Sequence, residues 1–256
     1  MPSHNRLLLP ALGLAAVLLA GCSQAAPAPR SPGDHVTATE ATTLANLLHR
    51  DFQEGGADFV ESVPYGEGTL LKLTGTVDFT RSVGRAQAVT TFSDGRPPDS
   101  RTLFFTTEDI WFGDVPHLAD VLSAEKLPAA SYVQRPLAAV SKSGQAQLID
   151  VVVQLVLNLS ARTPDDPRSF EKGDYSWQGQ RVIDGKLASV YALAGGSTVA
   201  VNTDKQLVQF VTRLPDQDFS VTITLPAHGR RTIDLPTDAE TITAAEHPEV
   251  LEKLGI

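Results

Sequence analysis

The chain has 256 residues, a formal charge of −9 at pH 7, and hydrophobic and charged fractions of 42% and 20%, which are ordinary for a globular fold. An acidic surface of this kind excludes nucleic acid as a partner, because phosphates demand a basic face, and it disfavours a folded domain lying flat on anionic lipid. A single cysteine excludes an intrachain disulfide and any cysteine-based metal site.

The first residues carry the three parts of a secretory signal. Arg6 supplies a positive start, Leu7 to Leu19 a short apolar core, and Leu19-Ala20-Gly21-Cys22 a small-residue end. The apolar run falls short of the roughly 20 residues that cross a bilayer, so it reads as a leader, not a spanning helix. Leu-Ala-Gly-Cys resembles the bacterial lipobox. That resemblance implies cleavage before Cys22, acylation of its thiol by a palmitate-bearing diacylglycerol group, and anchoring on the outer face of the bacterial cell membrane. Two or three acyl chains hold stably where one is marginal. The expected organisation is a signal peptide over 1–21, an acylated Cys22 with a flexible tether over 22–36, and a single domain over 37–256. Arg exceeds Lys, and Ala, Pro and Gly are abundant, a composition that points to a GC-rich, actinobacterial source.

Ser23 to His35 is rich in Pro, Ala and Ser and lacks periodic apolar residues, as a tether does. Thr37 and Glu40 form a capping-box pattern ahead of Ala41, Leu44, Leu48 and Phe52, one face of a helix ending near Gly55-Gly56. The period then becomes two. Leu71, Leu73, Val77 and Phe79 alternate with Lys72, Thr74, Thr76 and Asp78, a strand with one wet face. Arg85 to Phe92 reads as its partner, with Ala86, Ala88 and Phe92 on the buried side. Arg101 to Thr106 and Ile110 to Phe112 are shorter strands, and Leu118 to Leu122 is a helical turn.

Gln145 to Ser160 is the most apolar stretch after the leader. Leu148, Val152, Leu155, Val156 and Leu159 fit a helix face, Leu155, Leu157 and Leu159 fit a strand, and length favours the helix. Thr163 to Pro167 follows as a loop. Tyr175 to Ile183 meets the hairpin pair Asp184-Gly185, and Leu187 to Leu193 returns. Thr198 to Thr203 follows, with Val199 and Val201 on one face. Val208, Phe210 and Leu214 alternate next, and Phe219, Val221, Ile223 and Leu225 form the cleanest strand. Thr232 to Leu235 reads as the last strand. A second capping box, Thr243 with Glu246, opens a terminal helix through Leu251 and Leu254, stopped by Gly255. Sequential hairpins predict an antiparallel sheet.

No catalytic constellation is visible. His4 lies in the leader, His35 in the tether, His49 on the polar side of the first helix, and His117, His228 and His247 in loops, all read as solvated. None has metal-ligand spacing, and no nucleophile elbow, phosphate loop or dinucleotide fingerprint occurs. Asp165, Asp166 and Asp174 lack the spacing of a calcium loop, and Trp111 and Trp177 read as packing residues. The expectation is a protein that is not an enzyme, with no catalytic residue, metal or cofactor.

The order of lipobox, tether, helix, hairpins, apolar helix and closing strands resembles the actinobacterial lipoproteins of the LppX/LprG type, which share a fold with the LolA and LolB carriers. The resemblance runs from Thr39 to Pro236. It is carried by Leu73 to Phe79 (LTGTVDF), Gln180 to Gly185 (QRVIDG), Val221 to Thr224 (VTIT) and Ile233 to Pro236 (IDLP), while the helix after Thr243 extends past the family pattern. It implies an α+β fold: an antiparallel sheet curled into a half-barrel, with helices on its concave face and acyl chains of a lipid or glycolipid between them. The inward candidates are Leu71, Leu73, Val77, Phe79, Phe92, Leu148, Val152, Leu155, Val156, Leu159, Val199, Val201, Phe210, Val221 and Ile223. Implied partners are that lipid, the membrane through the Cys22 anchor, and a membrane transporter, with the chain a monomer. The alternative is a regulatory or scaffold lipoprotein that uses the same fold to engage a membrane protein. Exposing one methylene to water costs about 0.8 kcal/mol, so a 16-carbon tail costs on the order of 12 kcal/mol and a carrier must shield it throughout.

Overall fold

The computed structural model describes residues 30–137, 147–215 and 217–256. The chain divides at Arg30/Ser31, and every element below belongs to Ser31–Ile256. Cys22, the expected leader and most of the tether lie outside the described residues, as do Gln145 and Ala146 at the start of the apolar stretch.

α1 (Ala38–Glu54) begins on the expected capping box. The Thr37 Oγ1 accepts from the Glu40 amide at 3.3 Å and Glu40 Oε2 accepts from the Thr37 amide at 2.8 Å. It ends at Gly55, whose left-handed backbone (φ 90°) lets its N–H reach the carbonyls of Asp51 and Phe52. The buried stripe is Ala41, Leu44, Ala45, Leu47 and Asp51, with Leu48 and Phe52 half-buried at its edge.

Twelve strands among the described residues form one curled, unclosed sheet ordered β12-β6-β5-β4-β3-β2-β1-β11-β10-β9-β8-β7. The first half comprises β1 (Gly56–Tyr65), β2 (Thr69–Asp78), β3 (Val83–Phe92), β4 (Asp99–Phe105), β5 (Asp109–Gly113) and β6 (Tyr132–Pro136). The second comprises β7 (Ser176–Ile183), β8 (Lys186–Ala192), β9 (Thr198–Asn202), β10 (Leu207–Arg213) and β11 (Ser220–His228). β12 (Thr241–Thr243) returns to pair with β6 in parallel, so the sheet is mixed, not wholly antiparallel. A parallel neighbour needs a long connection, and the whole second half of the chain supplies it.

α1 and α3 (Leu148–Leu157) cover the inner face, burying Leu44, Leu47, Phe59, Leu73, Val77, Val152, Val153, Val156, Val221 and Ile223 in the main core. α4 (Pro167–Lys172), capped by the Asp166 carboxylate, packs on α1. α2 (Leu118–Ala124) and α5 (Pro248–Leu254) close a smaller core with Val133 and Ile242. Gly84 of β3 admits the ring of Phe105, which a Cβ would meet at 2.1 Å, and that ring lies edge-on to Phe59 at 6.4 Å.

Several expectations are corrected. Thr232 to Leu235 is not a strand: it lies on the outer face, where Ile233 packs with Val83, Phe104 and Trp111. The second capping box belongs to Thr237 and Glu240, on a short 3₁₀ turn (Asp238–Glu240), while Thr243 ends β12 and α5 starts after His247. A register shift between Leu207 and Gln209 sends Val208 outward to Ala188, Val190 and Ala200, and leaves Leu207 and Phe210 facing in. Residues 31–35, read as part of the tether, lie along β7. There His35 bridges Ser176, and Trp177 exchanges backbone hydrogen bonds with Gly33 and Asp34.

Candidate functional site

A cavity of about 300 Å³ lies between the helices and the β8–β10 part of the sheet. α1 contributes Leu44, Leu47 and Leu48, because three and four residues bring a side chain back to the same face. The end of α3 and the turn after it add Leu155 and Leu159, α4 adds Phe170, and the sheet side adds Tyr175, Leu193, Val199, Leu207 and Phe210. Phe170 and Tyr175 stack at 4.7 Å between ring centres. The polar side chains in its wall are Asn158, Asp165 and Tyr175. An apolar hollow with few polar groups, at the low end of ligand-pocket volumes of roughly 300–1,000 Å³, suits an alkyl segment.

A second hollow, about 440 Å³, lies under the other end of α3. Leu71, Ala88, Leu103, Phe112, Leu148 and Ile149 line it, Leu254 and Ile256 enter from the C-terminal helix, and Asp99, Arg101 and Gln147 add polar groups. A broader depression, about 730 Å³, follows the hydroxyl- and charge-bearing side of α1, with Thr42, Asn46, Arg50, Gln53 and Lys205 in its wall. Its size does not make it an acyl site, because hydroxyl, amide and charged side chains line it throughout, and an alkyl chain there would take polar groups from water.

Of the fifteen candidates read from the sequence, Leu155, Leu159, Val199 and Phe210 line the first cavity, and Leu71 and Leu148 line the second. Leu73, Val77, Phe79, Val152, Val156, Val201, Val221 and Ile223 are buried in the packed core and line neither. Phe92 is half-buried at the end of β3 under the Arg96 guanidinium, 4.0 Å from its ring centre. Sequence reading missed Phe170, whose short helix follows the Thr163–Pro167 loop in a stretch given no element, and Leu207, whose facing depends on a bulge.

Three buried charged sites were not foreseen. Glu61 projects from the middle of β1 into the apolar interior, fully buried, and among the described residues neither carboxyl oxygen is hydrogen-bonded. Burial alone pushes its carboxyl well above the usual range, which favours the protonated form. Asp51 of α1 is also fully buried. Desolvation pushes it up to about 6, against the attraction of His228 and Arg50. His228, expected to be solvated, ends β11 with its side chain 2% exposed, its Nε2 3.5 Å from Asp51 Oδ1. Among the described residues that nitrogen makes no hydrogen bond, and no hydroxyl is poised on it for activation. Arg135 of β6 pairs bidentately with Asp150 of α3. His49 is a packing tie, its Nδ1 3.2 Å from the Ala161 carbonyl and its Nε2 2.9 Å from Gln53.

Among the described residues no group of three His, Cys, Asp or Glu is placed to hold a metal, and no helix is long and apolar enough to cross a membrane. No protein-family model matches the chain, and no curated protein does. Among solved structures the chain is similar to the crystal structure of LprF from Mycobacterium bovis. The likeness covers 81% of this chain and 99% of that one, at 13% identity and a TM-score of 0.43.

Proposed function

We propose that this chain is a lipid-anchored envelope protein that shelters the acyl part of a lipid or glycolipid and carries or presents it at the outer face of the cell membrane. The observation that supports this reading is the cavity walled by Leu44, Leu47, Leu48, Leu155, Leu159, Val199, Leu207 and Phe210. Its walls are largely apolar, which offsets part of the methylene-by-methylene cost of leaving a bilayer. Among the described residues no hydroxyl bonds the Nε2 of His228, and the Asp51–His228 pair is buried, so this pair lends no support to a hydrolytic reading. Cys22 provides the anchor in this reading, through the lipobox that precedes it.

The test uses residues 23–256, which retain the whole of the packed unit Ser31–Ile256. Native mass spectrometry of this unacylated chain is expected to show co-purifying lipid, or uptake of stearic acid from detergent solution. A chain that carries none and accepts none overturns the reading. Labelling with a radioactive palmitate precursor, lost on Cys22→Ser, tests the anchor independently.

A further inference from the structure

One register row crosses the inner face of the sheet through both cavities. Val199 is paired with Phe210, Phe210 with Ile223, Ile223 with Glu61, Glu61 with Leu73, Leu73 with Ala88, and Ala88 with Arg101. The first two line the smaller cavity and the last two line the larger one. Ile223, Glu61 and Leu73 therefore form the floor of a partition between them. α3 spans the same interval. Its start lines the larger cavity with Leu148 and Ile149, its end lines the smaller with Leu155, and Val152 and Val156 between them are fully buried.

A carboxyl is a poor choice for that floor. An aliphatic side chain there would fill the same space, whereas a buried polar group without a partner costs about 1–3 kcal/mol. Both oxygens of Glu61 are orphaned among the described residues, at the one point of the row equidistant from the two hollows. A protonated carboxyl offers one O–H donor and one carbonyl acceptor, the complement of a hydroxyl or an ester oxygen.

We propose that the two hollows are the ends of one acyl channel, joined when α3 lifts off the partition, and that Glu61 hydrogen-bonds a neutral oxygen of the ligand at the midpoint. The ligand then carries a hydroxyl or ester oxygen flanked on both sides by alkyl chain, as a hydroxylated fatty acid or a glyceride does. This deepens the lipid-binding reading and rests on it.

Three probes are loaded into the unacylated chain and quantified by competition: stearic acid, stearic acid hydroxylated at mid-chain, and dioleoylglycerol. Wild type is expected to prefer an oxygenated probe over stearic acid, the hydroxylated acid and the glyceride deciding which source the midpoint fits. Glu61→Leu is expected to keep stearic acid binding and to lose about tenfold of that preference, the size of one hydrogen bond. Glu61→Gln, which retains a donor and an acceptor, restores most of it. Equal preference in wild type and Glu61→Leu overturns the midpoint contact. Failure of wild type to take up any of the three, stearic acid included, overturns the lipid reading itself.

Discussion

Arg135 and Asp150 clamp the first turn of α3 to the sheet. Arg135 Nη2 donates to Asp150 Oδ1 at 2.7 Å and Nη1 to Oδ2 at 2.9 Å, with the guanidinium 5.2 Å from the ring centre of Phe112. Both side chains are buried, so each is the other's main compensation for leaving water. Asp150→Ala leaves the guanidinium with only the neutral acceptors Gln147 Oε1 and the Pro136 carbonyl and no counter-charge, and is expected to cost about 3–5 kcal/mol. Arg135→Met with Asp150→Leu is expected to stay within about 1 kcal/mol of wild type or exceed it. Guanidinium-chloride unfolding of the three chains checks both, and a mild single-variant loss shows the clamp to be solvated.

Asp51 makes stability depend on pH in a defined direction. Its folded value, about 6, lies above the unfolded 3.8, so the folded chain binds this proton more tightly. The stability it contributes is full below about pH 4 and declines as pH rises through 6. The change is on the order of 3 kcal/mol. Unfolding at pH 4.5 and 7.5 is expected to show a smaller fall for Asp51→Asn than for wild type, and parallel profiles refute the assignment.

Glu61 acts in the same direction, its penalty growing as pH rises above its ordinary value of 4.5. Glu61→Leu replaces an unpartnered carboxyl with an aliphatic of similar reach. It is expected to gain about 1–3 kcal/mol at pH 7, raising Tm by several degrees. A lower Tm on thermal scanning would mean that the carboxyl has a partner in solution.

The cavity and the packed core separate by their response to substitution. Leu155→Trp fills the smaller cavity from a half-buried wall position and is expected to cut stearic acid uptake at least tenfold with Tm changed by only a few degrees. Leu73→Ala empties a fully buried site outside the cavity and is expected to cost about 2–5 kcal/mol. Reversed outcomes would place the alkyl site elsewhere.

Much of the architecture was readable because it depends on local chemistry. The Thr37 box, the left-handed Gly55 stop and the Asp184-Gly185 hairpin (φ 48° and 73°) are settled by residues within a few positions of each other. β1 was missed because Glu61 occupies the inward slot of Ala57, Phe59 and Val63, so the alternation that marks a strand is broken by its most unusual residue. β6 was missed for a related reason, Arg135 facing inward to meet Asp150. The site was legible only in part. Lining a cavity and filling a core obey the same periodicity, and what separates Val199 from Val201, or Leu155 from Val156, is where α3 and α4 come to rest.

The pairing of β1 with β11 carries a consequence for how the chain acquires its structure. β1 to β5 and β7 to β11 are each built of sequential hairpins, which form early because their loops are short. The seam between these two half-sheets joins Glu61 to Ile223, segments separated by more than half of the chain. Closing it must await nearly the whole polypeptide and is entropically the slowest contact. A refolding chain is therefore expected to hold two half-sheets with open edges at β1 and β11 before the seam closes, and hydrogen exchange during refolding should protect the hairpin amides before those of the seam.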